Sequence, residues 1–417
     1  MRKGLLIGLA LAAVLALTAT GGTAATGAAA PGVTARTITI GGTFPLTGPA
    51  STYAPIPAAM KAYFSYVNKR RGPDGRRGVF GRQIVWKYYD DQYNPAQTVQ
   101  LTRRLVEQDN VFAIVGSLGT EHNEAIRPYL NQKKVPQLLN ATGASTWGKD
   151  FRRYPWTGGW QPDYEREGRL YGQAIARNSP SAKIAVIYQN DSYGQDYLRG
   201  LKAGLGAKTS NIVGEEAYEV TAADVRSQVA KLRATGATVF VILATPRATI
   251  QSYVFARALG WNPAVIYTNS VSATDTFLTT AQRSGAGDLV NNTFTAQYAK
   301  DPANPRWDND EAMKLYKQVM AQYAPGARVT DGLNYYGVAV AHAFVQLLYK
   351  AGRNPTRESL MKAFRNWDEV NPFLLPGNRQ KTGRSDQEPL ECHQLAKFTN
   401  GTFQPVSALK CPAPSAR

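Results

Sequence analysis

Hydrophobic and polar positions follow two alternating periods along most of the chain. Short apolar runs, such as residues 37–40, 111–115 and 239–243, have the length of buried strands. Between such runs, apolar residues recur every three or four positions, which is typical of helices with one buried face. Asn94 followed by Pro95 indicates a helix start, because Asn caps free N–H groups and proline suits the first turn. Strands alternating with helices predict parallel sheets covered by helices on both faces.

This alternation occurs twice, which predicts two α/β lobes. One series covers residues 36–139 and the other covers residues 163–267, with a turn-rich bridge at 154–162 between them. In open parallel sheets, ligands bind where strands end and helices begin, so a cleft between the lobes is the expected binding site. Beyond residue 294 we predict three helices and then two short strands, at about 308–323, 333–351, 356–365, 394–398 and 402–406.

Residues 1–30 have the layout of a secretory signal peptide. A short cationic start precedes an apolar run over residues 5–17 and then a stretch of small residues, with cleavage expected near 22–24 or 28–30. The run is shorter than the roughly 20 apolar residues of a spanning helix, and a buried N-terminal helix is the alternative. No cysteine is available here for lipid attachment. We therefore predict a periplasmic or otherwise extracytoplasmic protein without stable membrane insertion.

The two cysteines of the chain lie close together near its C-terminus. In an oxidising compartment, Cys392 and Cys411 would close a short loop as a disulfide, and two free thiols are the alternative. Loop-entropy reasoning gives such a bond a stabilising effect of roughly 3 kcal/mol.

The net charge of +18 raises the question of a nucleic-acid or membrane partner. A cluster of six cations surrounds a Gly-Pro-Asp-Gly turn within residues 69–82, and these cations are Lys69, Arg70, Arg71, Arg76, Arg77 and Arg82. No aromatic residues interleave with them as a single-stranded nucleic-acid site requires, so no nucleic-acid partner is expected. We interpret this segment as a solvated loop, and contact with acidic lipid headgroups or a partner is the alternative. The charge mildly favours anionic ligands through steering.

Motifs of catalysis and metal binding are missing from the sequence. It contains no nucleophile elbow, no phosphate-binding loop and no zinc-binding H-E-x-x-H, so neither an enzyme nor a cofactor or metal site is expected. Asp90 and Asp91 end a strand with side chains aimed in opposite directions, which favours loop capping over a shared-proton pair. His122 is expected to be a solvated or capping residue, His342 to be packed in a helix, and His393 to adjoin the disulfide.

Several segments of the chain stand in a distinctive order and spacing, namely residues 40–49, 89–95, 105–116, 135–138, 188–194 and 400–401. Together they resemble the Leu/Ile/Val-type periplasmic binding proteins, the substrate-binding proteins of branched-chain amino acid ABC transporters. The resemblance covers about residues 36 to 410, and no single motif decides it.

This resemblance implies a type I periplasmic binding protein fold, with two Rossmann-like lobes joined by a three-strand hinge. The implied N-terminal lobe is 36–158 plus 299–374, and the implied C-terminal lobe is 159–298 plus 375–417. It also implies a monomer that captures a small-molecule ligand by hinge closure and delivers it to an ABC transporter permease. The implied crossovers lie near 157–163, 295–299 and 374–379.

Ligand contacts of the family also carry over to this sequence. The resemblance implies a tyrosine wall, a hydroxyl at a helix start suited to a carboxylate, backbone contacts, and further contacts in the second lobe. Plain helix caps or core packing are the alternatives at these positions. The residues are Tyr53, Thr120, Ala141, Thr142, Gly143, Tyr193, Thr245 and Asn269.

One departure from the family bears on the ligand. Amino-acid binders usually place an acid after the strand that here ends at Tyr267, where it pairs with the ligand ammonium. This chain has Asn269 there and no acid until Asp275. A buried ammonium without an anionic partner is costly, so we expect a carboxylate- or amide-bearing ligand without an ammonium, such as an aromatic acid, and an amino-acid-like ligand is the alternative. A sensing protein that acts on a signalling receptor, or an exported α/β hydrolase, is the alternative function.

Overall fold

The computed structural model describes residues 30–411. The predicted signal peptide, apart from Ala30, therefore lies outside the described residues. No helix within the described part of the chain is long and apolar enough to cross a bilayer.

The first sheet has five strands, all parallel, in the order β2-β1-β3-β4-β5. Asn94 begins α2 as predicted, because its side chain accepts hydrogen bonds from the N–H groups of Ala96 and Gln97. The elements are β1 (Thr37–Phe44), α1 (Pro55–Lys69), β2 (Gln83–Asp90), α2 (Pro95–Glu107), β3 (Ile114–Val115), α3 (Thr120–Gln132), β4 (Gln137–Asn140), α4 (Thr146–Lys149) and β5 (Thr157–Gly159).

A second series of alternating elements follows, as the pattern predicted. Its edge strand β7 and the short helix α9 are not among the predicted elements. The series consists of α5 (Tyr164–Asn178), β6 (Ile184–Gln189), α6 (Ser192–Leu205), β7 (Ile212–Tyr218), α7 (Arg226–Ala234), β8 (Val239–Leu243), α8 (Pro246–Ala258), β9 (Val265–Thr268), α9 (Asp275–Ala281) and β10 (Thr293–Gln297).

The elements after β10 contribute to both lobes. They are α10 (Glu311–Tyr323), α11 (Gly332–Ala351), α12 (Arg357–Phe364), β11 (Asp368–Val370), β12 (Arg379–Lys381), β13 (Gln394–Thr399) and β14 (Thr402–Pro405). The second sheet has the order β14-β13-β10-β9-β8-β6-β7. Strand β13 runs antiparallel to both of its neighbours, β10 and β14, and all other pairs are parallel. Helices α10 and α11 return to pack on α1, in the core that covers the first sheet. The molecule therefore has two α/β lobes, as predicted.

Four glycines allow α5 and α6 to pack unusually closely. Gly168 and Gly172 on α5 face Gly200 and Gly204 on α6, and an added Cβ at any of them would lie 2.1–2.3 Å from a backbone oxygen of the other helix. Since real side chains do not approach that closely, glycine is required at each position. This contact holds the start of α6, which carries Tyr193, in a fixed place.

The C-terminal segment is held by the predicted disulfide, which the structure confirms between Cys392 and Cys411. The bond lies beside β13, where His393 exchanges two backbone hydrogen bonds with Lys410. His393 itself is buried, and this burial lowers its pKa to about 3.

A candidate binding cavity between the two sheets

A cavity of about 140 Å³ lies between the carboxyl ends of the two sheets, with side chains from both sheets in its wall. It is the expected place for a ligand in parallel sheets. Six of the eight predicted ligand residues line it, and these are Tyr53, Thr120, Ala141, Thr142, Tyr193 and Thr245.

The other two predicted residues do not line the cavity but stand behind it. The carbonyl of Gly143 accepts the N–H of Tyr164 at 2.8 Å, and an added Cβ at Gly143 would meet the carbonyl of Pro162 at 2.1 Å. Asn269 is fully buried and donates from Nδ2 to the Tyr193 hydroxyl. Each residue thus positions a tyrosine of the wall through a hydrogen bond.

Two hydroxyls meet at the start of α3. The side-chain oxygens of Thr120 and Thr142 lie 2.6 Å apart, and both residues are buried. The helix begins after Gly119, whose φ of 103° suits glycine and whose lack of a side chain leaves the first turn uncapped. Free N–H groups and two hydroxyls at a helix start favour an anionic or carbonyl oxygen.

Tyrosines form much of the remaining wall. Tyr164 and Tyr193 pack edge to face with ring centres 5.3 Å apart, and the Tyr53 hydroxyl donates to the carbonyl of Val271 at 3.2 Å. Burial raises the pKa of Tyr164 and Tyr193 well above the usual value, so both hydroxyls are neutral near pH 7. Neutral hydroxyls can both donate and accept, and their rings give an apolar ligand body a surface to pack on.

Two carboxylates line the cavity that were not predicted as site residues. Asp275 begins α9, and Asp301 follows β10. Burial, reinforced by the neighbouring charge of Asp301, raises the pKa of Asp275 to about 7. Neither acid directly follows β9, and the fold brings both to the cavity from further along the chain. The sequence contains no local signal for Asp301, since only the path of the chain after β10 places it there.

Hydrogen bonds also cross the cleft outside the cavity. Asp196 on α6 accepts from the Ser145 N–H at 2.8 Å and from its hydroxyl at 3.1 Å, and Ser145 belongs to the connection between β4 and β5. Ser192 donates to Glu124 of α3 at 3.3 Å. These contacts join elements of the first sheet to the helix that follows β6, so they exist only when the two lobes are close together.

His122 corrects one expectation. It is buried instead of solvated, and its ring lies 4.2 Å from that of Tyr93. This burial lowers its pKa to about 4. His122 lies on the buried face of α3, so its imidazole points inward and contacts Tyr93, which lines the cavity. His342 is packed on its helix as predicted, with its Nδ1 2.6 Å from the Tyr63 hydroxyl.

The two adjacent acids behave as the alternation predicted. Asp90 accepts the N–H groups of Leu46 and Thr47, whereas Asp91 accepts the Thr98 hydroxyl at 2.9 Å. They cap different loops at the rim of the first sheet. The basic segment at 69–82 is largely exposed, which agrees with its interpretation as a solvated loop.

Comparison with known proteins decides the family. A family model described as a periplasmic binding protein matches residues 37–402. The chain belongs to this family. Membership implies an extracytoplasmic location, and the family and fold are those of solute-binding proteins.

Individual relatives agree with this assignment. A Leu/Ile/Val-binding protein homolog 3 from Brucella melitensis is 25% identical over 207 residues, which are 48% of this chain and 53% of the relative. The chain spans about half the length of the curated relatives that it matches.

Solved structures show the fold over almost the whole molecule. A branched chain amino acid ABC transporter structure from Thermus thermophilus with bound valine has a TM-score of 0.78 at 18% identity, and the match covers 91% of this chain and 97% of that one. A fatty acid ABC transporter substrate-binding protein from Thermomonospora curvata has a TM-score of 0.75 at 23% identity, with 92% and 94% covered. The type I periplasmic binding protein fold is therefore confirmed for this chain.

Proposed function

We propose that this chain is the exported solute-binding protein of an ABC importer and acts by capturing a ligand, without catalysis. The observation that carries the proposal is a cavity between two lobes whose wall includes side chains from both sheets, in a chain of the periplasmic binding protein family. Its partners would be a small molecule and the permease of the importer, and it would act as a monomer.

The proposed ligand carries a carboxylate or an amide. Its oxygen atoms would bind at the start of α3, where Thr120 and Thr142 meet. Tyr53, Tyr193 and Thr245 would contact its body. Asn269 stands where an acid would pair with an α-ammonium, and its amide is engaged with Tyr193 and the backbone of the second sheet. The carboxylate of Glu167 lies at the end of β9, but it already accepts the N–H and the hydroxyl of Ser270 at 2.7 Å each. A standard amino acid would therefore have to compete for this partner.

Closure of the two lobes would convert binding into a signal for the permease. Because the wall comes from both lobes, a ligand contacts all of it only when they are together, and its differential affinity shifts the population to the closed form. The hinge would consist of three crossovers, near residues 157–163, 295–299 and 374–379. The lobes it separates would be 36–158 with 299–374 and 159–298 with 375–417.

A thermal-shift screen of the mature protein tests this function. Amino acids, aromatic acids, amides and ureas serve as the panel, and a ligand at 100 times its Kd should add about 2.7 kcal/mol to the free energy of unfolding. Thr120→Val should weaken binding of the best compound, whereas Thr238→Val, at an exposed position before β8, should not. A panel without any stabilising compound contradicts the proposal. Equal micromolar binding of leucine and isoleucine contradicts its ligand chemistry.

A further inference from the structure

A second cavity, of about 440 Å³, lies away from the cleft. It is formed by the second half of α1, by α11 and by part of the basic segment at 69–82, and none of its lining residues lines the cavity between the sheets. Its volume is that of a small-molecule site, which is about 300–1,000 Å³. A molecule bound in this second cavity would therefore contact none of the residues assigned to the cleft.

Tyrosines form much of the wall of the second cavity. Tyr63 and Tyr66 lie one turn apart on α1, and their ring centres are 5.8 Å apart. Tyr349 of α11 adds a third ring, and its hydroxyl donates to the carbonyl of Gly78 at 2.9 Å. That bond ties the basic segment to α11, so this part of the wall is held by the fold. Aromatic walls fixed in this way suit a flat apolar body.

One imidazole brings a polar group to these walls. His342 of α11 lines the second cavity, and its Nδ1 lies 2.6 Å from the Tyr63 hydroxyl. Burial lowers the pKa of His342 to about 4, so the ring is neutral near pH 7 and carries one proton. Its Nε2 makes no hydrogen bond with the residues that the structure describes, and it is not sealed from solvent. This nitrogen is therefore available to a molecule in the second cavity.

Two guanidinium groups border the same space. Arg70 donates to the Tyr66 hydroxyl, and Arg71 donates to the carbonyl of Gly75 at 2.6 Å, so each engages a neutral group. Each guanidinium has five N–H donors, most of which remain for another partner. Among the described residues no carboxylate forms an ion pair with either arginine, although the basic segment contains one acid, Asp74, beside its six cations. The charge around the second cavity therefore favours an anion.

We propose that the second cavity binds an organic anion with an aromatic body, such as an aryl carboxylate or an aryl phosphate. Arg70 and Arg71 would bind the anionic group, because guanidinium donors match the oxygen atoms of carboxylates and phosphates. The Tyr63 hydroxyl would donate to Nδ1 of His342, which leaves the ring proton on Nε2 for a hydrogen bond to the ligand. The tyrosine rings would pack on its apolar part. This site goes beyond the proposed function, since it lies outside the cleft.

Histidine NMR of the mature protein locates binding at this cavity. The chain has three histidines, of which His342 lines the second cavity, His122 lies against Tyr93 of the cleft and His393 adjoins the disulfide. Titration with 1-naphthoate or phenyl phosphate should shift the imidazole signals of His342, which His342→Gln assigns by removing them. Benzyl alcohol and inorganic phosphate each carry only one part of the required chemistry, so both should bind more weakly.

Two matched double variants separate a defined site from a general effect of charge. Arg70→Gln with Arg71→Gln should weaken binding of the better probe by about 10-fold or more, because charge-assisted hydrogen bonds are lost. Arg76→Gln with Arg77→Gln removes the same charge from exposed positions of the same segment that do not line the cavity, and it should leave binding unchanged. Equal weakening by the two double variants, or His342 signals that neither probe shifts, would overturn this second site. Either result leaves the proposed function of the cleft standing, because the thermal-shift screen tests that separately.

Discussion

Replacing Asp196 by Asn should open the cleft of the ligand-free protein. Asp196 is buried and holds Ser145 across the cleft by two hydrogen bonds, of 2.8 and 3.1 Å, and Arg199 of its own helix binds the same carboxylate. An amide carries no charge and has one acceptor oxygen, so the bond to the Ser145 N–H becomes a neutral one and no second oxygen remains to accept the Ser145 hydroxyl. Within its own lobe the substitution also weakens the ion pair with Arg199, which is half exposed and contributes little to stability, so the main effect is on the balance between open and closed forms.

The magnitude follows from the type of bond. Hydrogen bonds to charged groups contribute about 1.5–3 kcal/mol each when buried, and the exposed Arg199 screens this one only in part. Replacing charged bonds by neutral ones should cost about 1–2 kcal/mol and raise the ratio of open to closed molecules by about 5- to 30-fold. The apparent affinity for a ligand falls with the closed fraction, so binding should weaken as well, by up to the same factor.

Spin labels provide the assay. Lys133 and Lys208 are exposed, one on each lobe, and both cysteines of the chain are in the disulfide, so cysteines introduced at these positions can be labelled selectively. Pulsed dipolar spectroscopy should show the longer distances gaining population in Asp196→Asn. The control is Glu216→Gln, whose partner Lys231 lies within the same lobe. Identical distance distributions in Asp196→Asn and wild type would refute the reasoning.

Three further predictions concern stability, each measured by urea unfolding. Gly172→Ala should lower the free energy of unfolding by about 1–3 kcal/mol, because its Cβ would meet a carbonyl of α6. Gly383→Ala is the control, since open space surrounds that position, and it should change the free energy of unfolding little. Equal losses in the two variants would contradict the close packing. The double variant Cys392→Ser, Cys411→Ser should lower the free energy of unfolding by roughly 3 kcal/mol, because the disulfide is lost. An unchanged urea midpoint of unfolding would show that the disulfide does not stabilise the fold. Burial lowers the pKa of the His122 imidazole to about 4, whereas in the unfolded chain it is about 6.5. Between pH 7 and pH 5 the unfolded state therefore takes up a proton that the folded state does not. The free energy of unfolding of wild type should fall by about 2 kcal/mol over this range relative to that of His122→Leu. Parallel pH profiles would contradict that burial.

The local pattern of apolar and polar residues predicted correctly those elements whose burial follows directly from it. Strand β8 is a continuous apolar run and is fully buried, as such a run predicts. Strand β7 was not predicted because it lies at the edge of its sheet, contains Gly214 and two glutamates, and is only partly buried. An edge strand can carry polar residues on its open side, so its sequence does not differ clearly from that of a loop.

The order of strand and helix signals, together with family-like segments, was sufficient to determine the lobes, the fold and most of the tyrosine and threonine wall. These features depend on residues close in sequence, such as the helix start after Gly119 that presents Thr120. Only the tertiary structure brought Asp275 and Asp301 to the cavity wall, buried His122, and set Gly143 and Asn269 behind the wall. The physical reason is that burial and charge balance are set by neighbours distant in sequence. Asp301 reaches the cavity only through the path that the chain takes after β10, and no local pattern in the sequence predicts that path.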